Sequence, residues 1–152
     1  MTNHSDPPRA RAVGINHLAL EVGDIDEALE FYGSFLQFEI DKQSDTDAII
    51  YFGDQFINFC KQMDRMPDVA RHVGIAVDDK EMARSTLEGM GVKFLEGRFL
   101  DFLDPWGNRI EITTYTNIQF TKADPVLQGM GLSHLRKTEG ALAELRQKGM
   151  AP

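Results

Sequence analysis

One cysteine among 152 residues, Cys60, has no partner for an internal disulfide, which suits a reducing compartment. Basic residues are also scarce. Sixteen Lys and Arg stand against 24 Asp and Glu, a net charge of −8. Nucleic acids and anionic membrane surfaces favour basic patches, so neither is an expected partner. No apolar run approaches the roughly 20 residues that span a bilayer. Residues 1–12 are polar, carry Pro7-Pro8 and lack the apolar centre of a signal peptide. The expected location is the cytoplasm. What remains, 42% hydrophobic and 26% charged residues, suffices for one globular domain with a sizeable core.

Two segments resemble each other. From His17 the chain reads His-Leu-Ala-Leu-Glu-Val-Gly-Asp, and from His72 His-Val-Gly-Ile-Ala-Val-Asp-Asp. A repeat period of about 55 residues points to one supersecondary unit used twice. Each copy starts with a strand in which apolar residues alternate with the others. In 13–22, Leu18, Leu20 and Val22 point one way, and His17, Ala19 and Glu21 the other. Asp24 then reads as an N-cap with Glu27 in capping-box position. The helix after it carries Ile25, Ala28, Leu29, Tyr32, Phe35 and Leu36 on one face. Strands follow at 38–42, 48–52 and 56–60. In the second copy a strand at 72–77 leads, through Asp78 or Asp79 as cap, into a helix to about Met90, with Gly91 as its stop. Strands at 92–95, 99–103 and 109–115 complete it.

The fold class expected is therefore α+β: two βαβββ modules, 13–62 and 70–115, form one curved sheet or cup with helices outside. A mobile tail, 1–12, precedes the paired domain 13–115, and an extension, 116–152, follows. Thr138 caps its helix at about 138–149, with Ala141, Leu142 and Leu145 on the apolar side and Gly149 as the stop. Three turns with so little apolar surface are marginal alone. The extension should dock on the domain's flank or on a second subunit.

Alternation places His17, His72 and Glu111 on the strand faces away from the helices. Two imidazoles and one carboxylate make a ligand set for one divalent ion, with positions left open for water or substrate. Fe, Mn, Zn and Ni all suit it. Glu21 shares the His17 face and is the strand carboxylate placed to serve as a general base beside Glu111. His4 in the tail and His134 beyond the repeat are structural or solvated. A metal-free alternative holds a ligand in the cup between Phe52, Phe59 and Phe102.

These strands, with Asp104-Pro105-Trp106-Gly107-Asn108-Arg109-Ile110-Glu111, resemble the vicinal oxygen chelate superfamily of glyoxalases, bleomycin-resistance proteins, extradiol dioxygenases and fosfomycin-resistance transferases. The resemblance covers about 13–115. It implies paired βαβββ modules around one divalent ion, with metal-bound substrate oxygens stabilising developing charge. Glyoxalase I adds a glutamate ligand from the first module. Aligning Gly53 on Gly107 puts Ile57 there, which cannot coordinate. Extradiol enzymes carry a tyrosine where this chain has Asp101. The expectation is a metal-dependent enzyme on a small bidentate oxygen-bearing substrate, by lyase, isomerase or thiol-transferase chemistry. An Fe(II) dioxygenase and a metal-free drug-binding protein are the alternatives. A homodimer is expected, and whether each cup lies within one chain or across two stays open.

Overall fold

The computed structural model describes residues 15–97 and 99–151. The expected tail 1–12, with His4, lies outside them. Strand β1 (His17–Val22) buries Leu20 and Val22 and leaves His17, Ala19 and Glu21 exposed, but Leu18, expected with the buried pair, is exposed as well. Helix α1 (Ile25–Gly33) starts at Asp24, whose carboxylate accepts the N–H groups of Asp26 and Glu27. Strands β2 (Glu39–Gln43), β3 (Asp47–Phe52) and β4 (Gln55–Lys61) follow. The sheet order is β1-β4-β3-β2, with β1 and β4 parallel.

The second module runs β5 (Val73–Val77), α2 (Lys80–Gly89), β6 (Leu100–Leu103) and β7 (Arg109–Thr114), and its sheet order is β5-β7-β6. Asp79 is the α2 cap and accepts Met82 N–H. The strand expected at 92–95 is reduced to one bridge between Phe94 and Phe102. The N–H of Val92 closes the end of α2 on Leu87 O at 3.0 Å, and pairing with β6 is confined to that bridge and to Leu95 N–H donating to Asp101 O at 2.7 Å. The modules form separate sheets of four and three strands, and β1 and β5 are each a sheet edge.

Helix α1 joins the modules. Tyr32 packs on Phe59 of its own sheet, with ring centroids 4.9 Å apart. Phe31 and Phe35 reach Phe102 of the other sheet, and Phe31 also meets Trp106. An apolar surface on two sides of one helix makes a single shared core. A buried polar clasp crosses the same boundary. Tyr32 donates to Asp104 Oδ2 at 2.7 Å, while Asn108 Nδ2 donates to Asp104 Oδ2 at 2.6 Å and to Glu21 O at 2.9 Å. Burial, and then the Asp104 charge, push the Tyr32 phenol well up. Burial also raises Asp104, against the hydrogen bonds from Asn108, Tyr32 and Trp106. Tyr32→Phe should cost about 1–3 kcal/mol, because the buried carboxylate loses a donor without gaining water. Urea unfolding of both proteins checks this, and an unchanged midpoint would remove the clasp from the account.

The extension docks. After a 3-10 turn (Tyr115–Asn117), helix α3 (Asp124–Gly129) buries Leu127, and α4 (Glu139–Gln147) buries Ala141 and Leu145. Thr138 caps α4 by accepting Ala141 N–H. The extension reaches back to the β3–β4 hairpin, where Lys122 pairs with Asp54. Gly53 has φ +71°, and a Cβ there would lie 2.6 Å from Met130 Sδ. Deleting 116–152 removes the apolar cover that Leu127, Ala141 and Leu145 supply and bares the hairpin against α3, a loss on the order of 3 kcal/mol. The melting temperature of the truncated chain should fall by several degrees, and an unchanged value would contradict docking.

Candidate metal centre

The second sheet brings two of the three expected ligands together. Glu111 lies opposite Gly74 in the β5–β7 register, and His72 precedes β5 on the same face. His72 Nε2 stands 3.8 Å from Glu111 Oε2. His72 Nδ1 donates to Ala70 O at 3.0 Å, which fixes the tautomer and leaves Nε2 with a bare lone pair. A Cβ built on Gly74 would meet nothing within 4 Å, so the space beside Glu111 is open.

Residues that no motif singled out hold the loop carrying His72. Asp68 accepts Arg65 Nη2 at 2.9 Å, Arg71 Nε at 2.8 Å and Arg109 N–H at 3.3 Å, and its own N–H donates to Gly107 O. Arg109 Nη1 donates to Val69 O at 2.7 Å. Burial pushes the Asp68 carboxyl up, but Arg71, the Arg109 N–H and Arg65 outweigh it and hold it below the usual range. Its stabilising contribution is thus present above the ordinary carboxylate range, near pH 4, and disappears as pH falls below it. The only sequence signal for this hub was an Arg at three residues on either side of Asp68.

His17 belongs to the other sheet. It stacks on Phe56 at 4.6 Å, with 6° between the planes, and its Nδ1 is hydrogen-bonded to the Asn16 side-chain amide at 2.7 Å. Among the described residues no three His, Cys, Asp or Glu side chains converge to hold a metal ion. Within one chain, His72 and Glu111 meet and His17 stays apart.

Glu21 is half-exposed, with Oε2 3.4 Å from Arg65 Nε. Four residues of strand, roughly 13 Å, separate it from His17, so the two do not share one ion. Phe59 and Phe102 differ from expectation. Both are fully buried in the core, paired in register with Leu20 and Ile110 on the faces opposite Asn58 and Glu111, and cannot line a cup. Phe52 is half-buried and borders a groove of about 400 Å³ between the β1 and β5 edges, where His17 and Leu18 face Val73 and Ile75. A recess of about 650 Å³ at the α2 N-terminus includes Asp79 and His134 but none of the three ligand candidates.

A family model for the Glyoxalase/Bleomycin resistance protein/Dioxygenase superfamily matches residues 14–112. The metallothiol transferase FosB of Staphylococcus saprophyticus is 28% identical over 116 residues, covering 67% of this chain and 77% of that protein. A solved protein from the mobile metagenome of V. pseudocholerae is 26% identical with a TM-score of 0.56, covering 72% of this chain and 99% of the other. The fosfomycin resistance protein FosX of Listeria monocytogenes, solved with Mn(II) and sulfate, shares the fold at 16% identity and a TM-score of 0.60, over 70% and 95% of the two chains. Among the described residues no helix is long and apolar enough to cross a membrane.

Proposed function

The chain belongs to the Glyoxalase/Bleomycin resistance protein/Dioxygenase superfamily, and on that footing we propose that it is a metal-dependent enzyme acting on a small bidentate oxygen-bearing substrate. The His72–Glu111 pair carries this reading: a bare imidazole nitrogen facing a carboxylate oxygen beside open space. His17 completes the set from a second copy of the chain. Both edge strands, β1 and β5, have an unpaired side, and edges left open invite pairing with another chain. The protein then works as a homodimer whose centres are shared between subunits. Two neutral imidazoles and one carboxylate fit Fe, Mn, Zn or Ni.

A divalent ion bound there supplies Lewis-acid charge to the substrate oxygens. His72, Glu111 and the partner copy's equivalent of His17 hold it, and the Asp68 hub and Ala70 O keep His72 aimed. Glu21, beside Arg65 and roughly 13 Å of strand from His17, is too far from that ion to serve as its base. Thiol transfer is the first chemistry to test, since the relative FosB is a metallothiol transferase. Ring cleavage of catechols should be poor with Fe(II), because Asp101, not a phenol, stands beside Glu111 and is paired with Arg109. Rapid catechol consumption, followed as oxygen uptake, would promote the dioxygenase reading instead.

Asp68→Asn offers a milder test of the site. It should weaken metal affinity by about 10–100-fold, as expected when a group that orients a ligand is lost. Competition with a chelator of known affinity reads this directly. An unaltered dissociation constant would mean that Asp68 braces the loop without aiming His72. Elemental analysis of protein purified without chelator tests the whole reading. About one divalent ion per chain supports it, and metal-free protein that still binds small molecules would overturn it.

A further inference from the structure

The groove of about 400 Å³ between the β1 and β5 edges is walled by large apolar side chains that the fold leaves exposed. Ile15 and Leu18 stand on the first edge, Met82 on α2 and Phe120 on the extension. Such groups scattered singly over a surface need no explanation, but several from separate segments around one concavity mark a binding surface. Polar groups at its margin are engaged by the chain itself. Asn16 is hydrogen-bonded to His17, Gln55 Nε2 donates to Ile15 O at 2.8 Å, Lys122 pairs with Asp54, and Asp79 accepts Met82 N–H at 2.9 Å. The groove therefore presents mainly apolar contact to a visitor, and its volume lies in the range of small-molecule sites.

The groove is also continuous with the candidate metal centre. Gly74 and Ala76 of β5 and Thr113 of β7 line it, and all three share the strand face of Glu111. Gly74 lies directly opposite Glu111, with open space where a Cβ would stand. Another wall, formed by Phe120, Met130 and Leu132, comes from the extension, beyond the family match that ends at residue 112.

We propose that this groove holds an aliphatic tail of the substrate, which is then an amphiphile with its chelating oxygens at one end. This rests on the metal-centre reading and narrows it to substrates with an apolar chain. A molecule held at Glu111 by its oxygens has Gly74 beside it and the groove beyond, so its tail runs along the β5 edge towards Met82 and Phe120. Once the head is anchored, the tail binds without a second loss of translational freedom, and each buried methylene adds to affinity. The extension supplies part of the wall, so tail selection is a property of this chain and does not follow from the paired modules alone.

The test uses α-hydroxy acids that share one chelating end and differ in chain length: lactate, α-hydroxybutyrate, α-hydroxycaproate and α-hydroxycaprylate. Their binding to the Mn(II)-supplemented full-length protein is measured by calorimetry, and bound metal is quantified separately on the same sample. Affinity should rise about fourfold per added methylene and level off once the tail fills the groove. Met82→Gln combined with Phe120→Gln alters exposed side chains only. The double variant should weaken α-hydroxycaprylate about tenfold more than lactate, and a melting curve checks its fold. A protein that holds metal but binds the acids without regard to length, or binds none of them, overturns this inference and leaves the metal centre standing. So does an unchanged length response in the folded double variant. Tail affinity that falls as the protein self-associates gives the groove to a second copy of the chain and overturns it too. A length-dependent rise in protein that holds no metal keeps the groove and removes the centre beneath it.

Discussion

Glu111→Ala is expected to strip the bound metal from the purified protein while leaving the fold intact. Glu111 is 21% exposed on its side chain and contributes nothing to the core. Its neighbours Ile110 and Ile112 point the other way and are fully buried. Truncation at this position therefore opens no cavity and frees no buried partner. The lost group is the only anion in a set whose other members are neutral imidazoles. Removing it should cost well over the 10–100-fold typical of an orienting neighbour. Elemental analysis and a melting curve on the same preparation separate the two effects. Full metal occupancy in the folded variant would mean that the ion, if any, is held elsewhere.

Local patterns in the chain specified most of the elements, because strand alternation, helical spacing and caps are short-range physics. α1 with its Asp24 cap and α4 with its Thr138 cap lie within a residue or two of expectation at their starts, while β1 begins at His17 and leaves out Ile15 and Asn16, which the expected strand included. The 92–95 strand is shortened to a bridge at Phe94, with Val92 N–H spent on the end of α2 and Leu95 N–H on Asp101 O. Phe59 and Phe102 were misplaced although parity was legible, since Phe102 alternates with Asp101 and shares its face with Leu100. A preference for aromatics in binding sites overrode the alternation, and the alternation was correct.

The site was legible in a different way. Face-sharing by His17, His72 and Glu111 was an expectation from period two, and the structure brings His72 to Glu111 while His17 stays on the other sheet. Which faces meet is a tertiary matter. It depends on α1 presenting Tyr32 to one sheet and Phe31 and Phe35 to the other, and no window of sequence shows a helix packing on both sides. The 62–72 linker gave no periodic signal at all. Its contribution is a charge network, in which Arg65 ties Glu21 of β1 to Asn108 of the turn and to Asp68. That network fixes His72 by way of backbone groups, which residue types alone do not reveal.

A heterodimer of His17→Ala and Glu111→Ala chains should bind about one metal ion, although each variant alone binds almost none. The expectation follows from the arrangement of the chain. His72 and Glu111 meet on one sheet, His17 is held on the other against Phe56 and Asn16, and no three ligands converge among the described residues. If each centre takes His17 from one subunit and the pair from the other, mixing the variants concentrates both defects in one centre. The second centre is then assembled wholly from intact residues. If each centre lies within one chain, both remain defective, and the heterodimer is as empty as either homodimer. Differently tagged chains, refolded together and purified through both tags, give the species needed, and its metal content decides between the two arrangements. Half-occupancy supports the shared centre. Absence of metal, or a chain that stays monomeric in solution while holding a full ion, rules it out.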